Sequence, residues 1–356
     1  MCKMCENNFG RNSGRLDARF IREREFGGTA RYGYGFGRSY REMRTVVNSG
    51  EIGRLDALCD EWLRLKRSQV KESTLTKYHS IMENRIKPEL GGYCVSSLTS
   101  LVVEQFAYEL LHGQGLSPKT VKDTLTVLHA VLLYAEKQVG LSRRIDIIYP
   151  KAEKKEMRVL SREEQEKLTQ YLMKNTDSYK FATLFTLMTG LRIGEVCALR
   201  WRDISLGEGV VRVRSTLQRV KNLSGSGAKT KVIVCDPKSF SSARVIPLTP
   251  FALELCQRFY GRPDDYILTG KSDKFAEPRM LQYRITRYAR DCGLSGVHFH
   301  TLRHSFATRC VEVGFEIKSL SEVLGHASPQ ITLERYVHSS LELKRENMKK
   351  LSALGY

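Results

Sequence analysis

Between residues 53 and 138 the apolar positions fall at helical intervals. Leu58, Trp62 and Leu65 predict a first helix, and Leu75, Tyr78, Ile81 and Ile86 form the stripe of a second that opens after Ser73-Thr74. This second helix is expected to stop before Pro88 and Gly91-Gly92, because an interior proline lacks an N–H and clashes with the preceding turn. A third follows Thr99-Ser100 and runs through Phe106 and Leu110 to Gly113. In the fourth, Ser117 is a suitable N-cap and Pro118 suits the first turn, with Val121, Leu125, Leu128, Leu132 and Ala135 along one face.

The pattern breaks over about 139–158, where Arg143-Arg144, Pro150 and the lysines between 151 and 155 read as a basic linker. Ser161-Arg162-Glu163-Glu164 is then a capping box ahead of a new helix. A long apolar helix through Phe181–Met188 closes at Gly190. Val210–Val213, Lys231–Val234 and Arg244–Leu248 have strand character, with Gly207, Gly209 and Ser224-Gly225-Ser226-Gly227 supplying turns. Helices resume at Pro250. The expected fold class is therefore mainly α with a small antiparallel β-sheet: a helical domain over 53–138, then a mixed α/β domain over 159–340.

Charge adds a partner to this outline. The 356 residues carry a formal net charge of +19, an excess that calls for a polyanion, and nucleic acid is the leading candidate. Lys71, Lys77, Lys119 and Lys122 gather near helix starts, where cations and helix N-termini together suit phosphates. Residues 1–50 are basic and rich in Gly and Arg, and read as a flexible lead segment. Nine scattered cysteines suit reduced thiols, and Cys2 with Cys5 lacks the second pair that structural zinc would need. No apolar run reaches the ~18 residues of a membrane span, and the N-terminus lacks a signal-peptide stretch, so a cytoplasmic protein is expected with no membrane partner.

Candidate chemistry lies in the second half. Breaking a phosphodiester without a metal requires fixed guanidinium groups on the phosphate, a side-chain hydroxyl as nucleophile and a proton for the departing oxygen. Arg192, Lys238, His300, Arg303, His326 and Tyr336 are sufficient for that. Arg192 follows the Gly190 break, and His300 and Arg303 share a helix face. His298, His300 and His304 include an i, i+4 pair of the kind zinc sites use, but Arg303 lies between and no glutamate base accompanies them. His298 and His304 are accordingly read as packing or backbone-bonding residues, and neither metal nor cofactor is expected.

Four ordered motifs carry a resemblance: TGLRIGE with LRWRD behind it, PKSFSSARVIPL, HTLRHSFATR and LGHASPQITLERYVH. In these the chain resembles the tyrosine recombinases, or phage-type integrases, most closely those of integrative and conjugative elements. The resemblance implies a core-binding domain over 53–138 and a catalytic domain over 159–340. It implies that Tyr336 attacks the scissile phosphate to give a 3′-phosphotyrosyl link, that Arg192 and Arg303 clamp the phosphate, and that Lys238 is the general acid. Lys229 and Lys231 are neighbouring alternatives for that acid. His300 would be the base or proton shuttle, His326 a hydrogen-bond donor to the phosphate, and Glu195 a supporting acidic residue. The expected function is a site-specific recombinase that integrates or excises a mobile element, acting on core sites in double-stranded DNA.

A DNA invertase or resolvase of the same family is the alternative, and a catalytically silent DNA-binding regulator another. A type IB topoisomerase would use similar chemistry as a monomer. Leu341, Leu343, Met348, Leu351 and Leu354 form an apolar-spaced tail over 341–356, expected to pack on a neighbouring protomer in a homo-tetramer on DNA. An excision factor is a further expected partner. Arg38, Tyr40 and Arg41 are candidate remnants of an arm-binding domain.

Overall fold

The computed structural model describes residues 53–139, 145–151, 157–223, 227–235 and 243–336, with the single positions 345, 348 and 349. Segment 1–50, including Cys2 and Cys5, most of the tail and Lys238 lie outside the described residues.

Helix α1 (Leu55–Lys66) buries Leu55, Leu58, Cys59 and Trp62. Leu65 departs from the expected stripe: it stands in the last turn of the helix and is 48 % exposed. Helix α2 (Glu72–Ile81) runs into a π-type turn over Met82–Ile86 and on into α3 (Lys87–Leu90), so the expected stop at Pro88 does not occur. The wider turn resets the hydrogen-bond ladder, and Pro88 then occupies the first turn of α3, where a missing N–H is no loss.

In α4 (Ser100–Tyr108) the Thr99 hydroxyl accepts the Val102 N–H at 3.3 Å. In α5 (Pro118–Val139) Ser117 accepts that of Thr120 at 3.2 Å. The face of α5 anticipated from its spacing is buried at Val121, Leu125, Leu128, Leu132 and Ala135. These residues form one core with Leu55, Ile86, Phe106 and Leu110. Each buried Val, Leu, Ile or Phe among them contributes about 1.5–3 kcal/mol through burial.

A second core begins at Leu160. Ser161 and Glu164 make the expected capping box at the start of α6 (Arg162–Met173), and α7 (Ser178–Thr189) is buried along most of its length. After α8 (Ile193–Ala198) come five short strands: β1 (Ile204–Ser205), β2 (Val210–Val213), β3 (Thr216–Lys221), β4 (Thr230–Cys235) and β5 (Arg244–Pro247). An antiparallel sheet has the order β1-β2-β5, with Val211 opposite Ile246 and Val213 opposite Arg244. Strands β3 and β4 form a separate antiparallel hairpin, tied to α2 by a Lys231–Glu72 ion pair at 2.7 Å. Strand β3 went unread because polar residues interrupt its alternation.

Helices α9 (Pro250–Phe259), α10 (Pro278–Asp291), α11 (Phe299–Glu312), α12 (Ile317–Leu324) and α13 (Pro329–Tyr336) complete the fold. Where the last three meet, Ala307, Cys310, Leu320, Leu324 and Tyr336 make a small third cluster. Among the described residues the seven cysteines are all free, and no helix is long and apolar enough to cross a membrane.

Candidate active site

The turn from α7 to α8 places the first arginine. Gly190 ends α7 with φ +65°, and a Cβ there would stand 2.4 Å from a Phe306 ring carbon, so only glycine fits both the conformation and the contact. Two residues on, Arg192 is the N-cap of α8. Its N–H donates to Glu195 Oε2 and its Nη1 to Glu195 Oε1, both at 2.9 Å. Arg244, the first residue of β5, lays Nη1 and Nη2 on the same two oxygens at 3.0 and 2.9 Å. Burial alone would raise the Glu195 carboxyl, but the Arg244 fork, with help from Arg192, overcomes it and holds the group at about 2.

The C-terminal end of α12 fixes the directions of three guanidinium groups. Arg244 Nε donates to Val323 O at 2.6 Å, Arg303 Nη2 to Leu324 O at 2.6 Å and Arg192 Nη2 to Gly325 O at 2.8 Å. These three successive carbonyls belong to a helix end that leaves its last carbonyls without helical partners and carries its negative pole there. Gly325, at φ +63°, terminates α12 in the left-handed region. Arg303 is 4 % exposed and also donates through Nη1 to Gly190 O at 2.6 Å, so the α7 and α12 ends share one side chain.

His326 follows directly. Its Nε2 lies 3.1 Å from Arg303 Nη2 and its Nδ1 2.9 Å from Thr332 Oγ1. A guanidinium can only donate, so Nε2 accepts and the ring proton sits on Nδ1, towards Thr332. Burial, then Arg303 and Arg192, keep this imidazole neutral, with its protonation pushed down to about 3. His300 opens on the solvent side of α11. Desolvation in the cavity and then the Arg303 and Arg192 charges lower its protonation as well.

Tyr336, the last residue of α13, is 6 % exposed, with its ring parallel to that of His326 at 6.3 Å. Burial raises its hydroxyl, while Arg303, Arg335 and Arg192 pull the other way. Its oxygen is 2.8 Å from His304 Nδ1. The packing or backbone role expected for His304 is thus corrected: its ring bonds the phenol. The i, i+4 spacing of His300 and His304 was the signal, since it puts both on one helix face. Arg244 was the other residue missed. In β5 it alternates with Val245 and so shares the inward face of Ile246, which the strand's period of two contains.

Arg192, His300, Arg303, His304, His326 and Arg335 line one cavity of about 540 Å³, with Tyr336 bonded to one of its walls. This brings together Arg192, His300, Arg303, His326 and Tyr336 as expected from the sequence; Lys238 lies outside the described residues. Of its alternatives, Lys231 is held in the ion pair with Glu72. His298 stands at the N-cap of α11, its N–H donated to Thr301 Oγ1 at 3.1 Å. Lys71, Lys77, Lys119 and Lys122 are all exposed; Lys77 and Lys119 both reach Asp123 at 2.9 Å, which joins the basic faces of α2 and α5. Chemically, the cavity is a cationic seat for an oxyanion beside a phenol hydroxyl.

The profile of the phage integrase family matches residues 158–342, and that of the phage integrase N-terminal SAM-like domain matches residues 55–111. The chain belongs to the phage integrase family. It is a tyrosine recombinase, an enzyme class that cuts and rejoins DNA.

Among relatives of this recombinase, a XerC-like tyrosine recombinase of Caldanaerobacter subterraneus is 27 % identical over 313 residues, covering 80 % of this chain and 79 % of that protein. XerC of Xanthomonas campestris is 28 % identical over 284 residues, with coverage of 78 % and 81 %. The Tn1549 transposon integrase in complex with a circular intermediate DNA has a similar fold, with a TM-score of 0.70 at 20 % identity, over 84 % of this chain and 99 % of that one. The lambda integrase tetramer bound to a Holliday junction has a TM-score of 0.57 at 20 % identity, over 80 % and 77 %.

Proposed function

We propose that this recombinase integrates and excises a mobile element at core sites in double-stranded DNA, through a 3′-phosphotyrosyl intermediate on Tyr336. The observation that carries the reading is the convergence of Arg192, Arg303, His300 and His326 on one cavity beside the Tyr336 hydroxyl. Arg192 and Arg303 seat the nonbridging oxygens, held in direction by the α12 carbonyls, and stabilise the charge that develops in the transition state. Tyr336 Oη attacks phosphorus, and the bond to the 5′ oxygen breaks. Lys238 gives that oxygen its proton; the engagement of Lys231 with Glu72 favours Lys238 over that alternative.

His300 shuttles protons on the open side. His326 donates to the phosphate once its Nε2 carries the proton and Arg303 turns from it to the substrate. Glu195 holds both Arg192 and Arg244 in place. The arginines supply the charge that phosphoryl transfer needs, so the reaction is expected to proceed without a metal or cofactor.

Within this reading residues 53–138 are the core-binding domain and 159–340 the catalytic domain, supported by their separate cores. Lys71, Lys77, Lys119 and Lys122 contact the duplex backbone. The enzyme acts in the cytoplasm as a homo-tetramer on DNA, which likeness to the lambda integrase tetramer supports, and likeness to the Tn1549 integrase supports a mobile-element role. An excision factor is the further partner.

The test uses nicked suicide duplexes carrying the ends of the flanking DNA element. A covalent adduct should form in EDTA and map by peptide mass to Tyr336, and a two-site plasmid should release a circle. An adduct on another residue, or one abolished by the chelator, would overturn the chemistry. Inversion of the interval in place of a circle would overturn the mobile-element role.

A further inference from the structure

We infer that His304 is the catalytic residue that takes the proton of Tyr336 during cleavage and returns it during ligation. This rests on the reading of Tyr336 as nucleophile. Of the side chains around that hydroxyl, Arg192, Arg303 and Arg335 carry guanidinium groups, which donate and do not accept, so none is suited to receive its proton. His326 has Nε2 on Arg303 and Nδ1 on Thr332, and when it donates to the phosphate Nε2 carries a proton, so neither nitrogen is free to accept from the phenol. His300 sits one turn earlier on α11, its ring centroid 6.4 Å from that of His304. His304 Nδ1 meets the phenol oxygen at 2.8 Å, and the Arg303 guanidinium, which also hydrogen-bonds that oxygen, can only donate to it.

The surroundings keep His304 in the receiving form. Burial, then His300 and Arg303 on its own helix and Arg335 on α13, hold its protonation down to about 4. The same cations, with Arg192 from the α8 start, favour the phenolate as the proton leaves.

The balance is simple. As Tyr336 Oη bonds to phosphorus, its proton passes to His304 Nδ1, and the 5′ oxygen departs with a proton from the general acid. In ligation the 5′ hydroxyl attacks the phosphotyrosine and yields its proton to that acid's conjugate base. The Tyr336 oxygen, released from phosphorus, recovers its proton from the His304 imidazolium. Nothing is consumed across the cycle.

The readout is the pH profile of single-turnover cleavage of a suicide duplex by the full chain, from about pH 6 to pH 9. His304 is neutral throughout that range, so the wild-type rate should be flat. His304→Ala should lose about 100-fold or more at pH 7. Its rate should then climb roughly tenfold per pH unit, because the phenol must ionise unaided. His304→Gln keeps an acceptor for the hydroxyl but cannot take its proton, and should behave like the alanine variant; it carries the test if His304→Ala fails to fold.

A flat profile in both variants, whatever the rate, would mean a packing role and overturn the inference. The rising profile in His300→Ala and not at His304 would overturn it in favour of His300. If wild type itself forms no adduct on Tyr336, it is the proposed function that fails, and these variants are not what decides it.

Discussion

Arg303→Lys should lower single-turnover cleavage by about 10²–10³-fold while leaving duplex binding within about tenfold of wild type. Arg303 is almost wholly buried, and its five N–H groups are largely assigned. One on Nη1 goes to Gly190 O, and those on Nη2 go to Leu324 O and His326 Nε2. The Nε–H and one Nη1–H remain, and the Nη2–H now on His326 joins them when Arg303 turns to the phosphate. A lysine ammonium keeps the charge but is a point donor on a flexible stem and cannot bridge the α7 and α12 ends while facing an oxyanion. Binding is spared because affinity for a duplex is spread over many backbone contacts. Rapid-quench cleavage alongside a gel-shift titration separates the two effects. Cleavage within about threefold of wild type would falsify a transition-state role for this side chain.

Glu195→Gln should cost about 3–5 kcal/mol of stability at pH 7, since it strands Arg244 as a buried cation without its carboxylate. The pH dependence gives an independent reading. The folded-state Glu195 carboxyl lies at about 2 against an ordinary 4.5, so folding is favoured by its ionised form. This contribution, about 3 kcal/mol, is present in full above pH 4.5 and fades as pH falls towards 2. Denaturant titrations at pH 7 and pH 3 should therefore show the gap between wild type and variant narrowing in acid. A gap that stays constant with pH would mean the glutamine disturbs packing and not charge.

The parts of the fold legible in the sequence are those where one local rule acts alone. The stripe of α5, the Ser161–Glu164 box and the Gly190 turn each follow from a few neighbouring residues, and each is present. Pro88 misled because the π-type turn before it, a departure with no compositional signature, moved it into the first turn of a new segment. The site divides the same way. Arg192, Arg303, His300, His326 and Tyr336 could be named because their motifs are local, and four of them line one cavity beside the fifth. Arg244 was not singled out and His304 was expected only to pack or bond the backbone, because their partners are distant along the chain: Glu195 is 49 residues from the first and Tyr336 32 from the second. An arginine at the start of a strand and a histidine in a helix look ordinary until tertiary contact supplies the other half.

The backbone partners of the arginines have an electrostatic consequence of their own. A carbonyl dipole aims a guanidinium without cancelling it, whereas a carboxylate does both. Arg192, Arg303 and Arg244 are aimed by Gly325, Leu324 and Val323, and the one carboxylate that touches them among the described residues is Glu195. The phosphate seat consequently stays electropositive at Arg303, while Glu195 offsets part of the charge of Arg192 and Arg244. An arriving phosphodiester meets at Arg303 a charge that no carboxylate among the described residues pairs with, and the energy of its capture is available to drive the reacting groups together.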